Sequence, residues 1–222
     1  PGAIAALCSG CQTNEENWLL ARLVAEVWQT DQMGLRGKVM PNREERFPGG
    51  FAIGGDCAPN GRGAKEVVAG MGLERLDVER IWEGIEVGRI RALCLLGGNP
   101  DERLEERERR VLEQLELLIV VDALASELTA LADVVLPAAS AFEKDGTFTN
   151  ADGRVQRLRR AVVPWADSLP EWQILQGLAE VAGAPWGYAH PRQIAGEIGR
   201  RLGGAYARSW EAEEDAGGSR GH

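Results

Sequence analysis

Short apolar runs recur along the first two thirds of the chain and alternate with polar, charged segments. Such runs are typical of strands buried on both faces of a sheet, and they lie at residues 3–8, 90–96, 117–121 and 133–136. The segments between them predict helices at residues 13–28, 64–70, 78–87, 101–115 and 126–131. Strand, helix and strand in succession form a βαβ unit, whose parallel strands need helices on both faces. The pattern therefore predicts an α/β fold with a doubly wound, mostly parallel sheet.

The first predicted helix has a clear start signal. Thr13 and Glu16 have the spacing of a capping box, and apolar residues then recur at three- and four-residue steps, which places them on a face that packs in the core. Residues 29–63 are instead rich in Gly, Pro, Asn and Arg without a clear period. This composition predicts a long loop that carries contacts.

The pattern changes after residue 146, where it predicts a mixed extended and helical segment. A hairpin or extended stretch comes first, followed by a helix capped by Ser168 and a last helix at residues 191–202. Four arginines of the extended stretch are expected to form a solvated edge, and three tryptophans to pack in the core or an interface: Arg154, Arg157, Arg159, Arg160, Trp165, Trp172 and Trp186. We divide the chain into a Rossmann-like α/β part (1–146), an extended and helical return segment (147–210) and a flexible acidic, Gly-rich tail (211–222).

The charge balance and the lengths of the apolar runs each exclude one class of partner. The 222 residues include 25 Lys and Arg against 34 Asp and Glu, a formal net charge of −9, which is the wrong sign for binding a phosphate backbone. The apolar runs are far shorter than the roughly 20 residues that cross a bilayer. We therefore expect no nucleic-acid partner and no direct membrane insertion.

Candidate catalytic and metal-binding groups are few. The two histidines are His190, before a proline, and His222, the last residue, and neither G-x-S-x-G nor a P-loop motif is present, which excludes common hydrolases and NTPases. Cys8 and Cys11 have the spacing of a metal or redox pair, but two further ligands would have to come from Cys57 and Cys94. Free thiols in a reducing cytosol are the simpler interpretation, so we predict no catalytic residue and no metal ligand in this chain.

Two strand ends carry residues suited to a ligand. Gly97, Gly98 and Asn99 follow one predicted strand and Asp122 ends the next, and ligands of open α/β sheets bind beyond the carboxyl ends of the strands. Glycine lets a ligand approach the backbone, and a carboxylate can accept hydrogen bonds from an amino-pyrimidine edge such as guanine. The alternative is purely structural, with the glycines forming a tight turn and Asp122 capping the segment after its strand.

Residues 132–156 read ADVVLPAASAFEKDGTFTNADGRVQ, and this string strongly resembles the molybdopterin oxidoreductase superfamily. Segments at residues 13–17, 60–64, 95–100 and 171–175 resemble the same superfamily. The resemblance covers most of residues 1–205 and implies a molybdopterin oxidoreductase-type domain.

Within the superfamily, the segments at residues 13–17 and 60–64 favour the branch of the iron-sulfur subunit of NADH:quinone oxidoreductase (complex I). That resemblance implies iron-sulfur clusters in an N-terminal region of the full-length protein, which relay electrons from NADH toward quinone. The chain, which begins without Met, would be a C-terminal scaffold fragment that holds no cofactor and is not catalytic by itself. Its partners would be other subunits of a respiratory complex, in a cytoplasmic peripheral arm attached to the inner face of the cell membrane.

The alternative within the superfamily is a molybdenum or tungsten bis-pterin oxidoreductase such as a formate dehydrogenase. This branch implies that molybdopterin guanine dinucleotide contacts Gly97, Gly98, Asn99 and Asp122, and that the partners are subunits of a formate-oxidising complex. A stand-alone protein that uses the fold for an unrelated ligand is a third possibility.

Overall fold

The computed structural model describes residues 2–36, 45–50, 52–53, 58–97 and 103–211. Its strands are β1 (Ile4–Ser9), β2 (Met33–Arg36), β3 (Glu45–Arg46), β4 (Ala52–Ile53), β5 (Ala92–Leu96), β6 (Leu117–Asp122), β7 (Val134–Pro137), β8 (Gly146–Thr149) and β9 (Val155–Leu158). Its helices are α1 (Asn14–Arg22), continued by a π-helical turn (Leu23–Val27), α2 (Gly61–Ala69), α3 (Val78–Glu86), α4 (Glu106–Leu112), α5 (Glu127–Leu131), α6 (Glu171–Val181), α7 (Pro191–Leu202) and α8 (Ala205–Glu211).

Five of these strands form one parallel sheet in the order β2-β1-β5-β6-β7. The chain moves from β1 to β2 in one direction and then returns to add β5, β6 and β7 on the other side, so the strand order reverses between β1 and β5. The predicted doubly wound, parallel α/β fold is confirmed. A reversal of this kind is where open α/β sheets bind ligands, at the carboxyl ends of the strands.

Alternate side chains of the sheet strands enter two separate cores. One face contributes Ala6, Cys8, Cys94, Leu96 and Val121, and it is covered by α1, α2, α6, α7 and α8. The opposite face contributes Ala5, Leu7, Leu93, Leu95, Leu118 and Val120, and it is covered by α3, α4 and α5. Burial on both faces explains why these strands read as unbroken apolar runs.

Helix α1 begins as the sequence predicts. The Thr13 hydroxyl accepts from the Glu16 backbone N–H (3.2 Å), and the Glu16 carboxylate accepts from the Thr13 N–H (2.8 Å), which completes the capping box. The predicted apolar face, however, describes only part of what is buried. Every residue from Asn14 to Ala21 is buried, including four polar ones in the first turn.

Two elements of the main fold lie wholly or partly inside the predicted loop at residues 29–63, together with the short antiparallel pair β3 and β4, so that prediction is wrong in part. The first is β2, which pairs with β1 from Met33 to Arg36. This strand has only four residues, among them Gly34, so it has too little apolar pattern to be recognised and depends on pairing with β1. The second is α2, which begins at Gly61.

Other boundaries also differ from the prediction. Helix α4 begins at Glu106, because Glu105 and Glu108 form its capping box. Helix α6 begins at Glu171 after Pro170, whereas the Ser168 hydroxyl donates to the Trp165 carbonyl (2.7 Å) and caps no helix. The C-terminal helix α8 was not predicted.

The structure contradicts the solvated edge predicted at Arg157, and of the two environments predicted for Trp165 it excludes the core but leaves an interface open. Trp165 is 82% exposed and does not pack in the core of this chain, whereas Trp172 is 5% exposed. Arg157 is not a solvated edge residue, because its guanidinium lies 4.2 Å from the ring centroid of Trp210 and 3.5 Å from Asp145. The predicted hairpin is present as the antiparallel pair β8 and β9.

The proposed division of the chain at residue 146 stays a prediction. Strand β8 begins there, and both it and α6 pack against α1. The tail beyond residue 211 lies outside the described residues. Within the described residues, no helix has the length and apolar character that crossing a bilayer requires.

Candidate functional site

Gly97 and Asp122 lie in contact at the carboxyl ends of β5 and β6. The Gly97 N–H donates to the Val121 carbonyl (2.9 Å), and a Cβ at position 97 would collide with Oδ2 of Asp122. Glycine is therefore needed at 97 because the Asp122 carboxylate lies directly against the backbone. The structure brings these two predicted site residues together, whereas Gly98 and Asn99 lie outside the described residues.

The Asp122 carboxylate has a fixed orientation. Its Oδ1 accepts from the backbone N–H groups of Ala123 (2.7 Å) and Leu124 (3.3 Å), so the side chain caps the turn that follows β6. Its Oδ2 faces Gly97, and the residue is 9% exposed. Asp122 therefore caps the segment after its strand, as the structural interpretation of the sequence predicts. Its second oxygen, Oδ2, is left facing Gly97 at the end of β5.

A buried polar cluster lies directly behind this edge, and none of its side chains was predicted as a site residue. Its members are at most 3% exposed and come from α1, the start of α2, β8, α6 and their flanking loops; they are Gln12, Asn14, Glu15, Glu16, Asn17, Asn60, Lys144, Thr147, Thr149 and Glu171. With the exception of Gln12, all belong to the segments that carry the family resemblance. These segments therefore meet in space.

Lys144 is the centre of one half of the polar cluster. Its ammonium donates to Oε1 of Gln12 (2.7 Å), Oε2 of Glu16 (3.0 Å) and Oε2 of Glu171 (2.6 Å). All three N–H donors of the ammonium are thus used, which is the condition for burying such a charge. Gln12 extends this half to the strand ends, since its Nε2 donates to the Gly97 carbonyl (2.9 Å).

The charges around Lys144 balance. Burial and then the neighbouring Glu16 raise the pKa of Glu171 well above its ordinary value, which favours the neutral form of this carboxyl. Burial opposes ionisation of Glu16 too, but the Lys144 charge and the hydrogen bonds hold the pKa of Glu16 below its ordinary value. Burial likewise disfavours the charge of Lys144, but the attraction of both carboxyls raises its pKa. These pKa directions favour one cation, one anion and one neutral acid in the group.

The other half of the polar cluster fixes β8 to α1. Glu15 accepts from the backbone N–H (2.8 Å) and the hydroxyl (2.9 Å) of Thr147. The Asn14 amide donates to the hydroxyls of Thr147 (3.0 Å) and Thr149 (3.1 Å). Side chains of α1 thus supply hydrogen-bond partners to β8, which belongs to a two-stranded sheet with no further strand on this side.

Asn60 and Asn17 join the polar cluster to the loop after β1. The Asn60 amide donates to the Gln12 carbonyl (2.8 Å) and accepts from the Thr149 N–H (2.7 Å). The Asn17 amide donates to the carbonyls of Ser9 (3.0 Å) and Gln12 (3.3 Å). The loop between β1 and α1 is held from both sides.

Glu15 makes stability depend on pH. Burial raises the pKa of Glu15 from its ordinary 4.5 to about 7, and the hydrogen bonds from Thr147 oppose this only in part. Between these values the folded chain binds one more proton than the unfolded chain, so the free energy of unfolding falls as pH rises. Glu15→Gln should remove this loss. From pH 5 to pH 8, its free energy of unfolding should rise by about 1–3 kcal/mol relative to that of the unsubstituted chain.

Urea unfolding of both chains at pH 5, 6, 7 and 8 measures this difference. Glu180→Gln, at an exposed position of α6, serves as the control and should follow the unsubstituted chain at every pH. Parallel curves for Glu15→Gln and the unsubstituted chain would contradict the assignment of the titration to Glu15.

The cysteines and His190 have structural environments. Cys8 and Cys94 are fully buried in β1 and β5, and burial raises the pKa of each thiol to about 12, so both stay protonated. Cys11 is half-buried, and Cys57 lies outside the described residues. In the described parts of the chain no three His, Cys, Asp or Glu side chains are arranged to hold a metal. His190 accepts from the Arg192 N–H (3.1 Å) as the cap of α7.

Comparison with known proteins places this geometry in a family. The family model described as molybdopterin oxidoreductase matches residues 10–181, which is most of the chain and includes every member of the polar cluster. The chain belongs to the molybdopterin oxidoreductase family. The resemblance found in the sequence is thus confirmed at the level of the family.

Curated relatives of this molybdopterin oxidoreductase chain are named as formate dehydrogenases. It is 42% identical over 125 residues to the "Putative formate dehydrogenase" of Staphylococcus haemolyticus (strain JCSC1435), an alignment covering 55% of this chain and 13% of that protein. It is 36% identical over 153 residues to a protein of the same description in Staphylococcus aureus (strain USA300), covering 63% of this chain and 15% of that protein. The chain thus spans 13–15% of the length of these relatives.

These relatives do not support the preference for the complex I branch, because the names they carry are those of the alternative branch. Among solved structures, acetylene hydratase from Pelobacter acetylenicus is similar with a TM-score of 0.48 and 17% identity, over 61% of this chain and 19% of that chain.

The sequence contained one signal for the buried polar cluster. Asn14, Glu15, Glu16 and Asn17 open a helix whose later positions are apolar on nearly every side. A helix that is apolar on nearly every side is buried, and the polar side chains of its first turn then need buried partners. Nothing local identifies those partners as Lys144 and Thr147, which lie more than 125 residues further along the chain.

Proposed function

We propose that this chain is a cofactor-binding part of a molybdenum or tungsten bis-pterin oxidoreductase that oxidises formate. The guanine end of a molybdopterin guanine dinucleotide would lie at Gly97 and Asp122. The observation that carries the proposal is the contact of these two residues at the strand ends, beside the point where the strand order reverses. The names of the curated relatives support formate as the substrate.

The residues at this edge suit a guanine base. An ionised carboxylate only accepts hydrogen bonds, and the edge of guanine offers adjacent N–H donors. Asp122 already uses Oδ1 to cap its own turn, so the direction of Oδ2 is set before any ligand arrives. When bound, the cofactor would supply the metal centre that accepts two electrons from formate.

The chain's own residues have a binding and positioning role in this proposal. Asp122 accepts hydrogen bonds from the base, and Gly97 leaves room for that carboxylate. The polar cluster behind them joins β8 and α6 to the loop after β1 and excludes water from the back of the site. Within the described residues we assign no catalytic role.

Metal and pterin analysis of the purified full-length protein tests this function. We expect molybdenum or tungsten together with a fluorescent oxidised pterin, and reduction of a redox dye that depends on formate. Iron without molybdenum, tungsten or pterin would overturn the proposal and favour the electron-relay scaffold of the complex I branch.

Asp122→Asn in the full-length protein tests the guanine contact. The Asn oxygen can keep the cap on Ala123 and Leu124, but its NH₂ group then opposes the N–H donors of the base. We expect at least about 10-fold weaker retention of the cofactor, since one partner of a charge-assisted hydrogen bond is lost. The guanine nucleotide released per chain on denaturation, after extended dialysis, measures it.

Asp133→Asn makes the same chemical change at the opposite end of the sheet, where Oδ2 of Asp133 accepts from the Leu118 N–H (2.7 Å). This control should retain guanine nucleotide like the unsubstituted protein. Equal retention by both variants would remove Asp122 from the site.

A further inference from the structure

Gln12 is the single member of the polar cluster whose side chain reaches the strand ends in the described structure. It follows β1, and its amide lies between Lys144 and the carbonyl of Gly97. Its backbone is held as well, since its N–H donates to the Ser9 carbonyl (3.2 Å) and its own carbonyl accepts from Asn60 (2.8 Å). The residue therefore has a fixed position and both ends of its side chain in use.

Lys144 decides which way the Gln12 amide points. An ammonium can only donate hydrogen bonds, so the oxygen of the amide must face it and the NH₂ group must face away. The NH₂ group then meets the Gly97 carbonyl, which can only accept (2.9 Å). A flipped amide would place donor against donor on one side and acceptor against acceptor on the other, so the buried charge selects a single orientation.

The ammonium is itself held in place from several directions. Glu16 comes from α1, Glu171 from α6, and Lys144 from the loop before β8. The position of the Gly97 carbonyl is thus coupled, through one amide, to three separate elements of the fold. Gly97 in turn lies against the carboxylate of Asp122.

We propose that Gln12 is a positioning residue, oriented by Lys144, that holds the end of β5 at Gly97 against Asp122. This inference rests on the proposed function, because Gly97 and Asp122 matter for a cofactor only if one binds there. It adds that retention of the cofactor depends on a buried amide that does not itself contact the ligand.

The test uses the full-length protein with Gln12→Met, which keeps the length of the side chain and removes both its donor to Gly97 and its acceptor for Lys144. We expect hydrogen exchange of the backbone amides at Leu96 and Gly97 to become about 3- to 10-fold faster, in line with the loss of one buried hydrogen bond. Retained guanine nucleotide should fall by a similar factor. Mass spectrometry of peptides that end at Gly97 measures the first quantity, and nucleotide release the second.

Two further variants keep the test decisive. Gln12→Leu removes the same donor and acceptor, so it should behave like Gln12→Met, and it replaces that variant if Gln12→Met does not fold. Asp133→Asn, at the opposite end of the sheet and outside the polar cluster, should leave exchange at Leu96 and Gly97 unchanged. A general loosening of the fold would instead accelerate exchange in peptides from every strand of both Gln12 variants and would overturn the proposal.

Unchanged hydrogen exchange at Gly97 in both Gln12 variants would also overturn the proposal. So would faster exchange in these variants with full retention of guanine nucleotide, provided that Asp122→Asn does lose the nucleotide. A full-length protein that contains no pterin overturns the proposed function instead. In that case the exchange rate at Gly97 still decides whether Gln12 holds this strand end.

Discussion

Lys144→Met should lower the free energy of unfolding of this chain by about 3–5 kcal/mol, because it removes the cation from a buried ionic group and leaves the carboxyls behind. Glu16 and Glu171 both lie within 3.0 Å of the ammonium, and neither is accessible to water. Methionine has a similar length, so lost packing contributes little to the expected effect.

The decrease in the free energy of unfolding caused by Lys144→Met should also depend on pH. Without the cation, the burial of Glu16 would be opposed only by its remaining hydrogen bonds, so the pKa of Glu16 should rise and the buried carboxyl should bind a proton. The folded variant then holds a proton that the unfolded chain releases, so its deficit should grow as pH rises above about 5. Urea denaturation at pH 5 and pH 8 measures both the size and the direction of the change.

Lys65→Met is the matched control for this prediction. Lys65 lies exposed on α2, and its replacement should change the free energy of unfolding by no more than about 0.5 kcal/mol. If Lys144→Met lowered the free energy of unfolding no more than Lys65→Met does, the balance of charges described for the polar cluster would be wrong.

Gly63→Ala is the second substitution with a large expected cost, about 2–4 kcal/mol, from overpacking and from hydrogen bonds broken in a buried site. A Cβ at position 63 would collide with the amide oxygens of Asn60 and Asn14 and approach the Thr149 hydroxyl to 2.9 Å. The amide oxygen of Asn14 has no hydrogen-bond partner in the described structure, so this corner of the polar cluster already has little room to adjust.

Gly177→Ala gives the opposite result in a comparable position. Gly177 lies inside α6, and a Cβ there would meet no atom within 4 Å. Alanine should therefore stabilise the chain by about 0.5–1 kcal/mol, the ordinary gain of replacing glycine in a helix. Thermal unfolding of the two variants side by side measures both signs, and stabilisation by Gly63→Ala would show that the polar cluster tolerates the methyl group.

These two glycines illustrate what the sequence can and cannot predict. Both lie in helical segments, and helix propensity by itself predicts a gain from alanine at each. Only the packing of Asn14 and Asn60 around position 63 reverses the sign there. The resemblance of residues 60–64 to the family marked this segment without giving the physical reason.

Four of the five strands of the parallel sheet can be predicted from the sequence. Strands β1, β5 and β6 are predicted because a strand covered on both faces needs an unbroken apolar run, which is a local property of the chain. Strand β7 has the same apolar pattern, although Val134 and Val135 are exposed at the edge of the sheet. The edge that carries Gly97 and Asp122 followed from the same reasoning, since parallel strands end together. Strand β2 is not predicted, because its four residues of mixed character form a strand only when β1 supplies the hydrogen bonds.

Tertiary structure alone decided the polar cluster. Lys144 lies 128 residues from Glu16 and 132 from Gln12, and no local pattern relates them. Only their meeting favours the neutral form of Glu171 and the charged form of Glu16, and turns the Gln12 amide toward Gly97. The physical reason is that burial and neighbouring charge set the protonation and orientation of a side chain, and both arise only when distant segments pack together.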